Sequence, residues 1–528
     1  MRDLLFHLQP SAQTSLQAQI REKLVSAILG GLIPVEERLP SSRQLAKALG
    51  VSRNTVTLAY QTLIDDGFLS GLERSGYFVN PEMAGKAGKA TPLLHKSGTG
   101  IDWKKRCRSE PSQQRNISKP LDWQSYTYPF IYGQVDHNLF PLAEWRECAR
   151  EALGKRWLGS WTNDTWEHDD PLLVEQIRRR ILPRRGIMAG DDEILVTLGA
   201  QNALYILAEL LIGPSNRVAM EDPGFPDMRN IFELRTPNVD LVPVDEQGLI
   251  VDPERLKTDL VFVTPSHQFP TTVTMPLDRR LDLMKLAAKR DFLIIEDDYE
   301  AETNYVNEPF PALKSLDDQG RVIYVGSLSK TLFPGLRLGF MVGPKPLIDE
   351  ARALRRLMVR HAPNNNQRTA ALFLALGHHD TLIRRLHKAY RTRWELLGAA
   401  LSEHLPVAPG IPSFGGTSYW VEGPRKLDSR SLAAAAAAKS MLIEPGEIYF
   451  GAEKRPKNFF RLGFSSIEEK KIEPGVRLLA ELMAAQAGNW CRSEPWSRHG
   501  RAGGHPRVIA ACNLPAIVDD RLRGHNGD

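Results

Sequence analysis

The chain has 528 residues, too many for one ordinary core, so two or three domains are expected. It is 42% hydrophobic and 25% charged with a formal charge of +5, the balance of a soluble globular protein. No run of eighteen apolar residues occurs and residues 1–10 are too polar for a secretory signal, which argues against a membrane span or export. Cys107, Cys148, Cys491 and Cys512 show no C-x-x-C spacing, so neither a disulfide framework nor a metal site is expected, and a reducing cytoplasm fits.

The first elements come at once. Leu16, Ile20, Leu24 and Ile28 recur at helical spacing, and the run stops at Gly30-Gly31. After Pro40, Ser41 and Gln44 stand three apart as a capping box, and Gly50 closes a short helix. Ser52 then caps a third helix whose Val56, Ala59, Tyr60 and Leu63 form one apolar stripe. Two short helices across a tight turn predict a helix-turn-helix. Phe68-Leu69-Ser70 and Tyr77-Phe78-Val79, joined through Gly71 and Gly76, predict the two strands of a wing.

Residues 81–120 are rich in Gly, Ala, Ser, Pro, Lys and Arg, which predicts a flexible linker. Nine basic residues face two acids between Ala84 and Pro120, whereas residues 11–80 hold seven basic and six acidic. DNA affinity would then rest on placed residues with help from the linker, or the linker is simply solvated. From 121 to 486, short apolar runs alternate with helical patterns. Ile194–Thr197, Val218–Met220, Leu260–Val263, Phe292–Ile295 and Val322–Val325 read as strands buried on both faces of a largely parallel sheet. Residues 487–528 read as a disordered tail.

Polar residues follow each of these strands, where open α/β sheets bind ligands. Lys330 comes just after Val325-Gly326-Ser327 and precedes Arg337, a setting that suits a Schiff base with pyridoxal 5'-phosphate (PLP). Glu296-Asp297-Asp298-Tyr299 ends another strand. A buried acid there would hold the protonated ring nitrogen of PLP, or merely cap the next element. Leu198-Gly199-Ala200-Gln201 opens a helix whose amides could hold a phosphate. Phe225 follows the next strand, and the loop from Thr264 to Pro270 is polar. Arg461, between Phe460 and Leu462, calls for an anion, either a ligand carboxylate or a structural partner.

In this order the segments resemble fold-type I aminotransferases, the N-terminal module resembles GntR winged helix-turn-helix regulators, and the two together resemble the MocR subfamily. The likeness covers about residues 10–80 and 120–485. It implies a winged module over 10–80 and a PLP-binding domain over 121–486. In the latter, Lys330 carries PLP, Asp297 pairs with the ring nitrogen and Tyr299 meets the ring hydroxyl. Ala200, Gln201, Ser327 and Arg337 would hold the phosphate, Phe225 would stack, and Arg461 would take the carboxylate of an amine or amino-acid effector. DNA contacts would fall on Arg43, Ser52, Arg53, Asn54, Thr55 and Thr57, with Ser75 and Gly76 at the wing tip. The chain departs from the pattern where Phe225 and Thr272 stand for the usual Tyr and Gly, and where residues 160–168 lack a Tyr-Gly-x-Pro-x-Gly run. Asp227 adds negative charge near the effector pocket. The expected function is a cytoplasmic, homodimeric regulator that binds an operator and senses PLP or an amine. The alternative is a working aminotransferase with an accessory DNA-binding domain.

Overall fold

The computed structural model describes residues 14–35, 38–72, 76–82, 101–305, 310–405 and 415–487. The chain divides after Arg108 into two compact units. In the first, α1 (Leu16–Leu29), α2 (Ser42–Leu49) and α3 (Arg53–Asp65) enclose a core of Ile20, Leu24, Val56, Tyr60 and Leu63. The Ser41–Gln44 capping box forms as the spacing requires, and Gly50 ends α2 at φ 65°. The wing is a hairpin of β2 (Leu69–Leu72) and β3 (Gly76–Val79). A third strand, β1 (Arg38–Leu39), pairs with β3, and the Tyr60 hydroxyl donates to the Pro40 carbonyl at 2.8 Å, tying α3 to that strand. Two residues of strand leave no periodicity in a sequence, so β1 was not foreseeable.

The second unit is built on an eight-stranded sheet. In chain order the strands are β4 (Ile194–Thr197), β5 (Val218–Asp222), β6 (Val239–Asp245), β7 (Gly248–Leu249), β8 (Leu260–Val263), β9 (Leu293–Asp298), β10 (Val322–Ser327) and β11 (Gly339–Val342). They lie side by side as β4-β11-β10-β9-β8-β5-β6-β7. From β10 to β6 every pair is parallel, while β11 runs antiparallel to both neighbours. The apolar runs are long and unalternating because helices cover both faces of the sheet: β4, β8 and β11 are buried along their whole length. A smaller antiparallel sheet follows, β12 (Ser418–Glu422), β14 (Phe459–Gly463) and β13 (Glu444–Pro445), with β14 central. No described helix is long and apolar enough to cross a membrane.

The expected linker departs from expectation at its end. Residues 83–100 lie outside the described residues, as does the tail from 488. Residues 114–119, however, belong to the second unit and pack within it. Gln114 donates to the Asn230 carbonyl at 2.9 Å, Asn230 donates back to the Arg115 carbonyl at 3.0 Å, and Ile117 packs on an aromatic cluster. Paired amide hydrogen bonds and one apolar anchor fix a stretch whose composition suggests none.

Gly463 is where β14 meets the segment that carries Tyr132. Its N–H donates to the Phe130 carbonyl at 3.2 Å, and a Cβ there would collide with the Ile131 carbonyl. Backbone cannot step aside as a side chain does. Gly463→Ala is expected to destabilise the second unit by about 1–3 kcal/mol, read from urea unfolding of the full chain.

Candidate functional site

A cavity of about 150 Å³ opens where β9 and β10 end. Ala200, Gln201, Phe225, Asp297, Tyr299, Ser327, Lys330 and Arg337 all line it, so residues 137 positions apart in the chain meet as the sequence pattern requires. Tyr132, Gly133, Thr264 and Phe269 complete its walls.

Three consecutive acids end β9, and their surroundings differ. Glu296 accepts from the amides of Leu313 and Lys314, both at 2.9 Å, and so caps the turn that follows. Asp298 is held by Arg185 at 2.7 Å and by the Tyr324 hydroxyl at 2.9 Å. Burial alone would raise its pKa, but the Arg185 charge outweighs that and holds it below the usual carboxylate range. Asp297 is 5% exposed and its Oδ1 has no hydrogen-bond partner. Burial, with the charge of Asp298 second, pushes it up to about 7, against the pull of Lys330. The capping role that the sequence left open for this acid therefore belongs to Glu296. Asp297 is left facing the cavity with nothing to hold.

Lys330 stands three residues beyond β10, its Nζ 4.1 Å from the centre of the Tyr132 ring. Burial lowers its amine to about 8; Glu300 and Asp297 favour the charged form, while Lys119 and Arg461 oppose it. The buried Tyr299 hydroxyl has no partner. Phe225 sets its ring 5.3 Å from Phe269, edge to face.

The opposite end of the cavity is suited to an anion. Helix α4 (Ala200–Leu211) begins there after Gly199, whose φ of 81° is a conformation that favours glycine. The first amides of a helix have no acceptor within it, so those of Ala200 and Gln201 are free to bind one. Arg337 lies across Gly199 and donates to the Leu198 carbonyl at 3.1 Å, and Ser327 sits at the end of β10. A carboxylate and a phenol without partners, a lysine and an anion seat match the ring nitrogen, hydroxyl, aldehyde and phosphate of PLP. The residues present fit that group.

Arg461 lies in β14, fully buried, and donates from Nε to Ser418 Oγ at 2.9 Å. Neither terminal nitrogen has a hydrogen-bond partner. Its guanidinium stacks 3.6 Å from the Tyr132 ring centre and 4.4 Å from that of Phe269. The structural ion pair that the sequence left open is absent among the described residues. Arg461 itself stands behind the cavity wall that those two rings make. Asp227 is raised by burial, with a hydrogen bond from Gln201 acting against that. Thr272 adopts φ 65°, a conformation that favours glycine.

Tyr132, Gly133, Phe269 as a wall and Lys119 were not singled out in the sequence. A buried Phe130-Ile131-Tyr132 run ending at a glycine is the signal that could have drawn attention to the first two.

In the first unit, Arg43, Arg53, Asn54 and Thr57 are exposed along α2 and the start of α3. Ser52 and Thr55 are occupied otherwise: Ser52 Oγ accepts the Thr55 amide at 3.1 Å and pairs with its hydroxyl at 2.8 Å. Ser75 lies outside the described residues, and Gly76 holds φ 111° with the Arg38 guanidinium packed against it.

Residues 141–479 match the model of aminotransferase class I and II, and residues 16–79 that of bacterial regulatory proteins of the gntR family. The HTH-type transcriptional regulator TauR of Rhodobacter capsulatus is 45% identical over 480 residues, covering 90% of this chain and 98% of the relative. The probable rhizopine catabolism regulatory protein MocR of Rhizobium meliloti is 29% identical, covering 90% and 96%. The HTH-type pyridoxine biosynthesis transcriptional regulator PdxR of Corynebacterium glutamicum is 31% identical, covering 79% and 85%. Among solved structures, kynurenine aminotransferase of Pyrococcus horikoshii superposes with a TM-score of 0.67 at 27% identity, covering 74% of this chain and all of that one. A winged DNA-binding module and a fold-type I aminotransferase domain thus share one chain, matched nearly end to end by regulators, and the chain belongs to the MocR-type GntR family of transcriptional regulators.

Proposed function

We propose that this regulator carries PLP on Lys330 and senses a small amine bearing an anionic group, acting from the cytoplasm as a homodimer whose two winged modules grip paired operator half-sites. The observation that carries the reading is Asp297, the one acid of three left without a partner, in the same cavity as a lysine of lowered pKa. The relative named for pyridoxine biosynthesis supports a B6 compound there.

Each residue has a stated task. Asp297 keeps a proton on the ring nitrogen, Tyr299 meets the ring hydroxyl, and Phe225 covers a ring face. Ala200, Gln201, Ser327 and Arg337 hold the phosphate. PLP, when bound, supplies an electrophilic carbon that an incoming amine can take over from Lys330. Arg461 receives the carboxylate of that amine through its unpartnered guanidinium edge. The operator is read by Arg43, Arg53, Asn54 and Thr57, with Ser75 and Gly76 of the wing beside it and Ser52 and Thr55 holding the helix start. An effector that alters the large domain changes how a two-fold pair of modules fits its half-sites.

Lys330→Ala is expected to abolish the visible absorption of lysine-bound PLP in a folded protein. A borohydride-reducible adduct persisting in that variant would overturn the assignment.

The pH dependence follows from the lowered amine. Below about 8 Lys330 would be protonated, and above it the free amine would be available to a carbonyl. The rate of PLP uptake by apoprotein should rise through neutral pH and level off above about 8. A rate that keeps climbing toward the ordinary lysine range contradicts this.

Arg53→Ala should weaken operator binding by roughly 1–3 kcal/mol and lessen its sequence preference, measured by titration at two salt concentrations. Unchanged affinity at both would remove Arg53 from the interface.

A further inference from the structure

Lys119 lies near the start of the second unit, in a segment whose composition reads as linker, and its amine reaches the wall of the cavity. It donates to the Tyr132 carbonyl and pairs with Glu444 Oε1 at 3.3 Å. A Cβ at Gly133 would lie 3.2 Å from Lys330 Nζ and 3.6 Å from Lys119 Nζ, so the two amines flank one glycine. Three cations surround the ring of Tyr132: Arg461 at 3.6 Å, Lys330 at 4.1 Å and Lys119 at 5.4 Å from its centre.

Glu300 and Asp297 are the acids that act on Lys330, and neither contacts Lys119 or Arg461. Glu444 is the acid paired with Lys119, and it also accepts the Tyr132 amide at 3.2 Å and the Tyr449 hydroxyl at 3.3 Å. Arg461 is wholly buried with both terminal nitrogens unpartnered. A buried guanidinium edge without hydrogen-bond partners is costly, and an anion offered to it would offset that cost. Two uses, to Tyr132 and Glu444, leave one of the three Lys119 donors for that anion.

We propose that Lys119 is an effector-binding residue, and that with Arg461 it clamps the oxyanion of a short amino acid whose amine end replaces Lys330 on the cofactor. This rests on the PLP-sensing reading above and deepens it. The ligand class is set by the geometry: an amine and an oxyanion a few bonds apart, because Lys330 and Arg461 contact the same aromatic ring. The bond from Lys119 to the Tyr132 carbonyl would bring this one residue of the segment into the ligand site.

The test uses full-length protein loaded with PLP. The spectral shift is titrated with amino carboxylates of two to five carbons and with n-propylamine, which has no anion. The wild type should prefer at least one carboxylate over n-propylamine. Lys119→Met should reduce that preference roughly tenfold or more, and Lys119→Arg should restore most of it. A preference unchanged in Lys119→Met, whether both affinities hold or both fall together, overturns the proposal, as does a wild type with no preference. A wild type without a PLP band refutes the PLP reading itself, a failure visible before any amine is added.

Discussion

Glu296, Asp297 and Asp298 end the strand on which the cavity depends, and three carboxylates side by side in a sheet would each cost several kcal/mol if left alone. Two of them are compensated, by the amides of Leu313 and Lys314 and by Arg185 with Tyr324. Those partners do more than neutralise charge. They fix the end of β9 against β10 at the pairing Asp297↔Val325, and so hold the third acid at a set distance from the segment that carries Lys330. Burial raises the Asp297 carboxyl to about 7, and a cation placed beside it would favour its charged form.

Much of this was legible in the chain. Helix caps, the buried strand runs and the residues at strand ends depend on local chemistry, and Ser41–Gln44, Val322–Val325 and Lys330 stand in the structure as the pattern requires. What escaped depends on partners far away in sequence. Whether Asp297 caps a turn or waits for a ligand is decided by Glu296 and residues 313–314. Whether Arg461 has an ion partner is decided by what β12 and β13 place around it. Lys119 escaped because composition describes a segment's average, and a single lysine with one acid partner and one carbonyl hardly changes an average.

Phe225 presents a ring without a hydroxyl to the cavity. Its ring keeps the edge-to-face contact with Phe269, and Phe269 in turn lies on Arg461. An aromatic face is all that stacking on a flat ring would need, and a phenylalanine offers it without adding a polar group to the cavity.

A ligand shifts an equilibrium only by the difference in its affinity for the two states. A pocket closed off from the connector could bind its amine tightly and report nothing to the DNA-binding module along the chain. Lys119, near the start of the second unit, shares Tyr132 and Glu444 with the cavity wall. Couplings in allosteric proteins are typically about 1–3 kcal/mol, a range that one partly buried ion pair can supply when a ligand makes or breaks it. A ligand anion that competed for Lys119 would compete with Glu444 and the Tyr132 carbonyl, the groups that hold this segment to the cavity wall.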